Sequence, residues 1–344
     1  WSERKLDDDF PGRFEAFSQS LDVFYEKNYT LKSLKGQTLI GVNAVLSTFE
    51  GDQIDFVSGN LVRNINRSAA NFQLIDPYFH QVLSLNKLKL ETGVRWNIHS
   101  EYGSHFLYQI APAYSLWKKD LKELRAYAGY STAFITPSLF QLFDSQFGNS
   151  ALEPEENESF ETGLRYFSKR LTVNAIFFNR TEKEFIDFVL IDPNNFVFQY
   201  QNIDGTFKAR GVELEAQVKL QNTRWSANYS FTERNTDQEL LRIPKHKINA
   251  SITHSFSRQW SAGLFYQYVH DRTDLFFDPV DFSSSTVVLD AYDLWKLSLN
   301  YTIIPDKLHL QAFVDNVFNK NFEELRGFQT LGRNFKIGLR YSVL

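Results

Sequence analysis

The chain contains no cysteine, so disulfides and thiolate metal sites are excluded and the fold does not depend on the redox state of its compartment. Methionine is absent as well, and the chain opens on Trp1, so either the composition is unusual or this is a fragment. No signal peptide stands at the start, which for an exported protein points to a part further upstream. Nowhere does an apolar run approach the ~18 residues of a spanning helix, leaving a soluble protein or a membrane β-barrel. The net charge of −4 lacks the basic excess that binding nucleic acid requires, so nucleic acid is not expected as a partner.

What the chain has in abundance is aromatic side chains, with 33 Phe and 16 Tyr making up most of a 16% aromatic fraction. Mean hydropathy nevertheless stays negative, because apolar and polar residues alternate. Residues 211–220 show the pattern: Val212, Leu214, Ala216, Val218 and Leu220 fall on one face, and Glu213, Glu215, Gln217 and Lys219 on the other. The same period of two returns at 225–231, 248–256, 260–268, 295–303, 308–314 and 335–343, with no helical period between them. Trp225, Trp260 and Trp295 lie near strand starts on the apolar face, as an aromatic girdle at a lipid interface would.

Short polar connections fall near Gly36, Asn86, Lys119, Lys169, Asn222, Ser257 and Pro305, and longer ones at 50–71, 99–105, 131–156, 191–197, 234–244, 271–290 and 318–332. Short turns on one rim and long loops on the other are the rule for outer-membrane barrels. The turn pattern predicts about 15 antiparallel strands, whereas a closed bacterial barrel needs an even number, so further strands are expected upstream.

Gly129, Tyr130, Ala133 and Phe134, then Pro137, Ser138, Leu139, Gln141 and Leu142, then Gly148, Asn149, Leu152, Pro154 and Glu155 form the most specific local pattern. This stretch resembles the G-Y-x-x-A-F, P-S-L-x-Q-L and G-N-x-x-L-x-P-E series of TonB-dependent outer-membrane receptors. Asp315 to Lys320, followed by Gly332, Arg333 and a last alternating strand, is similar to the C-terminal end of that family. Within the family, His99 to Gly103, Gly205 to Glu215, and Leu294 with Trp295 resemble cobalamin receptors most.

The resemblance implies an all-β antiparallel transmembrane barrel of roughly 22 strands, of which residues 1–344 supply the C-terminal 15, with the plug domain and TonB box upstream. It further implies residence in the outer membrane of a Gram-negative bacterium, contact with its lipid, and TonB-powered uptake of a bulky ligand. Cobalamin is the first expectation and a ferric siderophore the second. Haem is disfavoured, because haem receptors place a His between the Phe-Pro and Asn-x-x-Leu stretches, and the interval from Phe134 to Asn149 has none.

Phe134, Pro137, Leu139, Gln141 and Asn149 are the candidate ligand contacts, in the outer loop where aromatics could grip a ligand; the competing reading is packing of the loop itself. Pro154 and Glu155 read as turn chemistry, with the carboxylate taking backbone donors. Asp7, Asp8 and Asp9 are candidates for Ca²⁺ or for a plain solvated loop, and no other cofactor is expected. No His-x-His or His-x-x-x-His pair occurs, Ser131 and Ser138 lack a nucleophile context, and polar residues recur on every strand, so an enzyme is not expected. A passive porin or adhesion barrel, and a soluble all-β carbohydrate-binding or propeller protein, are the remaining alternatives.

Overall fold

The computed structural model describes residues 12–54, 60–192, 197–235, 241–278 and 283–342. Strands dominate: β1 (Gly12–Leu31), β2 (Leu34–Ile54), β3 (Leu61–Ile65), β4 (Asn71–Leu85), β5 (Leu88–His99), β6 (Gly103–Lys119), β7 (Lys122–Ile135), β8 (Glu155–Phe167), β9 (Leu171–Asp192), β10 (Val197–Leu220) and β11 (Thr223–Asn235). They continue as β12 (His246–Ser255), β13 (Trp260–Val269), β14 (Arg272–Phe277), β15 (Ser284–Leu289), β16 (Tyr292–Ile304), β17 (Leu308–Asp315) and β18 (Asn334–Tyr341). One helical turn, α1 (Leu139–Phe143), sits between β7 and β8. Hydrogen bonding orders the main sheet β1-β2-β4-β5-β6-β7-β8-β9-β10-β11-β12-β13-β16-β17-β18, which is 15 strands, while β3 adds to β2 and β14 pairs with β15 apart. The expected count therefore holds for the described residues, and the extra strands belong to the long loops.

Two compact units divide the chain, one of residues up to 113, 128–160 and 180–207, the other of 114–127, 161–179 and 208 onward. In the first, β1 and β2 pair from Gly12 opposite Gln53 down to Leu31 opposite Leu34. Tyr25, Ile40, Phe79 and Val94 lie in one row across β1, β2, β4 and β5, and all four are exposed. Asp22, Asn43 and Asp76 form a neighbouring row of opposite parity. A row of exposed apolar side chains this wide suits hydrocarbon rather than water.

The second unit repeats the scheme. Val218, Trp225, Ile252, Leu264, Leu297, Val314 and Phe335 make one apolar row across seven strands. Glu215, Asn228, Asn249 and Gln267 make a polar row of the other parity, joined by Asn249 Nδ2 donating to Asn228 Oδ1 at 2.9 Å and Gln267 Nε2 to Asn249 Oδ1 at 3.3 Å. Trp225 and Trp260 are 49% and 41% exposed beside short turns, as the girdle reading expects.

Two sequence expectations need correction. The first short turn falls at Lys32 and Ser33 rather than Gly36: Lys32 itself takes φ +54°, and Gly36 lies inside β2 opposite Tyr29, whose ring fills the space a larger side chain there would need. Lys32, Asn86, Asp120, Gln221 and Asp306 all turn with positive φ, so these hairpins close without glycine. The expected long loop at 99–105 is only the turn Ser100–Tyr102, because His99 Nδ1 accepts from the backbone N–H groups of Glu101 and Tyr102 at 3.1 and 3.4 Å and folds it tightly.

Candidate ligand-binding site

Strands β9 and β10 run 22 and 24 residues, whereas ~10 suffice to cross a bilayer, so both project well beyond it. Against their outer parts, within the first unit, packs the segment 136–154. Pro137 is buried and leads into Ser138, the N-cap of α1. Ser138 Oγ accepts from the Gln141 N–H at 3.2 Å and Gln141 Oε1 accepts from the Ser138 N–H at 2.8 Å, a reciprocal cap. Leu139 turns inward and packs with Phe49, Ile65 and Ala70.

Asp144 ends the helix. Its Oδ1 accepts from the Gln146 and Phe147 amides at 3.0 and 2.8 Å, and its Oδ2 from Gln53 Nε2 at 3.0 Å. Gly148 follows because a Cβ there would stand 2.4 Å from the Asp144 carbonyl oxygen. Asn149 then staples the segment to β10: Nδ2 donates to the Tyr200 carbonyl and Oδ1 accepts from the Ala151 N–H, each at 3.0 Å. Glu155 Oε1 accepts from the Ile186 N–H at 2.8 Å, the turn role expected of it. The Tyr102 hydroxyl donates to the Leu152 carbonyl at 3.0 Å. Burial, with Glu153 and Glu101 nearby, pushes the Tyr102 phenol up to about 12, so this donor keeps its proton throughout the physiological range.

Thus four of the five candidate contacts, Pro137, Leu139, Gln141 and Asn149, build the loop. Phe134 differs: it stacks on His105 with ring centroids 3.7 Å apart, and together with Thr132, Glu156, Glu158 and Lys183 they line a hollow of about 170 Å³. A histidine therefore does lie beside the Phe134 motif, contributed by β6 rather than by the interval after it.

Sequence reasoning missed the aromatic run that this stapled loop completes. From the buried Phe49 it passes through Phe140, which meets Tyr200 edge-on at 6.2 Å, to Phe188 at 5.0 Å from Tyr200. Phe147 and Phe198 flank Phe188 at 5.3 and 5.4 Å, and Phe188 is 42% exposed. The signal was the cluster of aromatics in 185–200, interrupted by acidic residues that broke the alternation. A face of rings open to solvent can stack on a large planar ligand.

In the second unit the long segments are pinned by Asp274. This fully buried carboxylate pairs with Arg242 Nε at 2.6 Å and accepts from the Arg326 and Leu275 amides at 2.8 and 2.9 Å. Burial alone would push its carboxyl up, but the Arg326 amide and the Arg242 guanidinium outweigh that and hold it below the usual carboxylate range. The Asp315 to Lys320 motif is also structural: Asn316 and Asn319 both take positive φ, and Asn316 closes the turn through Lys320 N–H and C=O at 2.8 Å each.

Asp7, Asp8 and Asp9 lie outside the described residues. Among the described residues no group of three or more His, Cys, Asp or Glu side chains is placed to hold a metal ion.

The family model described as "TonB dependent receptor-like, beta-barrel" matches residues 4–317. The vitamin B12 transporter of Vibrio cholerae serotype O1 is 28% identical over 256 residues, covering 74% of this chain and 40% of the transporter. The chain thus spans about two fifths of the length of that relative. Among solved structures, the copper transporter OprC superposes with a TM-score of 0.74 at 17% identity over 97% of this chain and 60% of its own. The siderophore receptor PirA of Acinetobacter baumannii does so with a TM-score of 0.73 at 16% identity over 96% and 55%. At such identities these two show the fold. The family is one of outer-membrane receptors and transporters rather than enzymes, and with its model matching most of the sequence, this chain belongs to the TonB-dependent receptor β-barrel family.

Proposed function

We propose that the chain is barrel wall and outer loops of a receptor for TonB-powered uptake of cobalamin across the outer membrane of a Gram-negative bacterium. The observation that carries this reading is the 28% identity with a vitamin B12 transporter over 256 residues. The exposed Phe188 ring, backed by the half-buried Tyr200 and Phe198, supplies a stacking surface of the kind a corrin macrocycle would use, and Phe134 offers a second aromatic contact. Capture by the outer loops would precede release inward, with TonB and the plug engaged by the whole receptor. Asp7, Asp8 and Asp9 are proposed to help bind Ca²⁺.

Titration of the full-length receptor in detergent with cyanocobalamin and with a panel of ferric siderophores tests the reading. Tight cobalamin binding, weakened by a calcium chelator, is expected. Micromolar or weaker cobalamin binding beside tight binding of a siderophore would move the assignment to the second ligand class. Binding of neither, with ions and sugars passing freely through a reconstituted channel, would leave a passive barrel.

A further inference from the structure

His246 and His270 share no short sequence motif, yet the fold sets them face to face. The pairing of β12 with β13 runs to Lys247 opposite Val269, and one step further the His270 N–H donates to the His246 carbonyl at 3.0 Å. Directly opposed residues on antiparallel strands project to the same side. Their ring centroids lie 5.1 Å apart with planes inclined at 56°. Both rings are half-buried, at the end of these strands from which the long segments leave.

We propose that His246 and His270 form a two-histidine site for a divalent transition-metal ion. Each ring already has its Nδ1 engaged, His246 with the Tyr229 hydroxyl at 2.8 Å and His270 with the Asp271 carboxylate. With the proton on Nδ1 in both, each Nε2 presents a free lone pair, and neither Nε2 has a partner among the described residues. The carboxylate holding the far nitrogen of His270 fixes that tautomer and raises the basicity of the ligating nitrogen, as around established metal sites, while the Tyr229 hydroxyl, able to donate or accept, takes the His246 Nδ1 proton when a metal claims Nε2. Tyr229 and Phe231 pack on the His246 ring at 6.0 and 5.2 Å and restrict its rotation.

Imidazole suits Cu²⁺, Ni²⁺ and Zn²⁺. With no third protein ligand in place, the remaining positions belong to water or to a donor carried by another molecule. That puts Cu²⁺, the tightest binder of the divalent series, first.

The test is a Cu²⁺ titration of the tag-free full-length receptor in detergent, read by calorimetry and by electron paramagnetic resonance. One equivalent with hyperfine structure from two nitrogens is expected. His246→Phe and His270→Phe should each abolish the two-nitrogen signal, His254→Gln should leave it intact, and Asp271→Asn should keep it while weakening binding about tenfold. Should a Phe variant fail to fold, as judged by loss of detergent-resistant migration, His246→Gln keeps a polar partner for Tyr229 and replaces it. Copper binding of unchanged affinity in both histidine variants, or a spectrum with fewer than two nitrogens, would overturn the proposal and leave the pair as rim residues.

Discussion

Phe188 is 42% exposed although three other rings lie within 5.4 Å of it, Phe198 stacked and Phe147 edge-to-face, so the ring is held in place while part of it stays available to a ligand. Aromatic anchors of this kind carry a disproportionate share of binding energy. Phe188→Ala is expected to weaken ligand binding by about 1–2 kcal/mol, roughly five- to thirtyfold, with little change in stability. Equilibrium titration beside a thermal melt separates the two effects; an unchanged affinity would remove this ring from the site. Asp274 has the opposite role, fully buried and made to hold neighbouring segments. Its folded-state carboxyl lies below the ordinary value of about 3.9, so its stabilisation is present in full above that value and is lost as pH falls through the depressed one. Limited proteolysis of 316–333 should accordingly be the same at pH 7 and pH 5 and should rise only below about pH 4. A rise between 7 and 5 would mean that a different group pins this loop.

Elements differ in how openly the sequence declared them. The strands of the wall were legible because alternation is local: Leu214 and Val218 against Glu213 and Glu215 needs no knowledge of what pairs with β10. The loop elements were not, because α1, β3 and the β14–β15 hairpin are fixed by distant partners. Leu139 is inward only because Phe49, Ile65 and Ala70 come from β2 and the segment after it. Gln141 looked available to a ligand, and the reciprocal cap with Ser138 became apparent only with α1 in view. Likewise His246 and His270 stand 24 positions apart in sequence, and only the register of β12 against β13 brings them together. If α1 is a packed staple, Leu139→Ala should cost about 2–4 kcal/mol locally and Ser138→Ala about 1 kcal/mol. Hydrogen exchange over 136–154 would accelerate in that order, with the wall strands unaffected; equal protection in wild type and both variants would contradict the packing.

Taken as a whole, the molecule is a strand count and a sidedness. The count of about 15 followed from the alternation of short and long connections, and the hydrogen-bonded order bears it out for the described residues. It survived a misplaced first turn, since Lys32 rather than Gly36 reverses the chain, because either position leaves the number of strands unchanged. Sidedness rests on rows such as Val218 to Phe335, apolar and outward, against Glu215 to Gln267, polar and hydrogen-bonded. Residues 1–344 contribute no cysteine, so once any cysteine elsewhere in the full-length receptor is replaced, single cysteines can be placed one at a time from Val212 to Leu220 and labelled with a fluorophore in the reconstituted receptor. Lipid-borne quenchers should reach positions 212, 214, 216, 218 and 220, and not 213, 215, 217 and 219. Quenching without a period of two, or with the two sets exchanged, would contradict a transmembrane wall built this way.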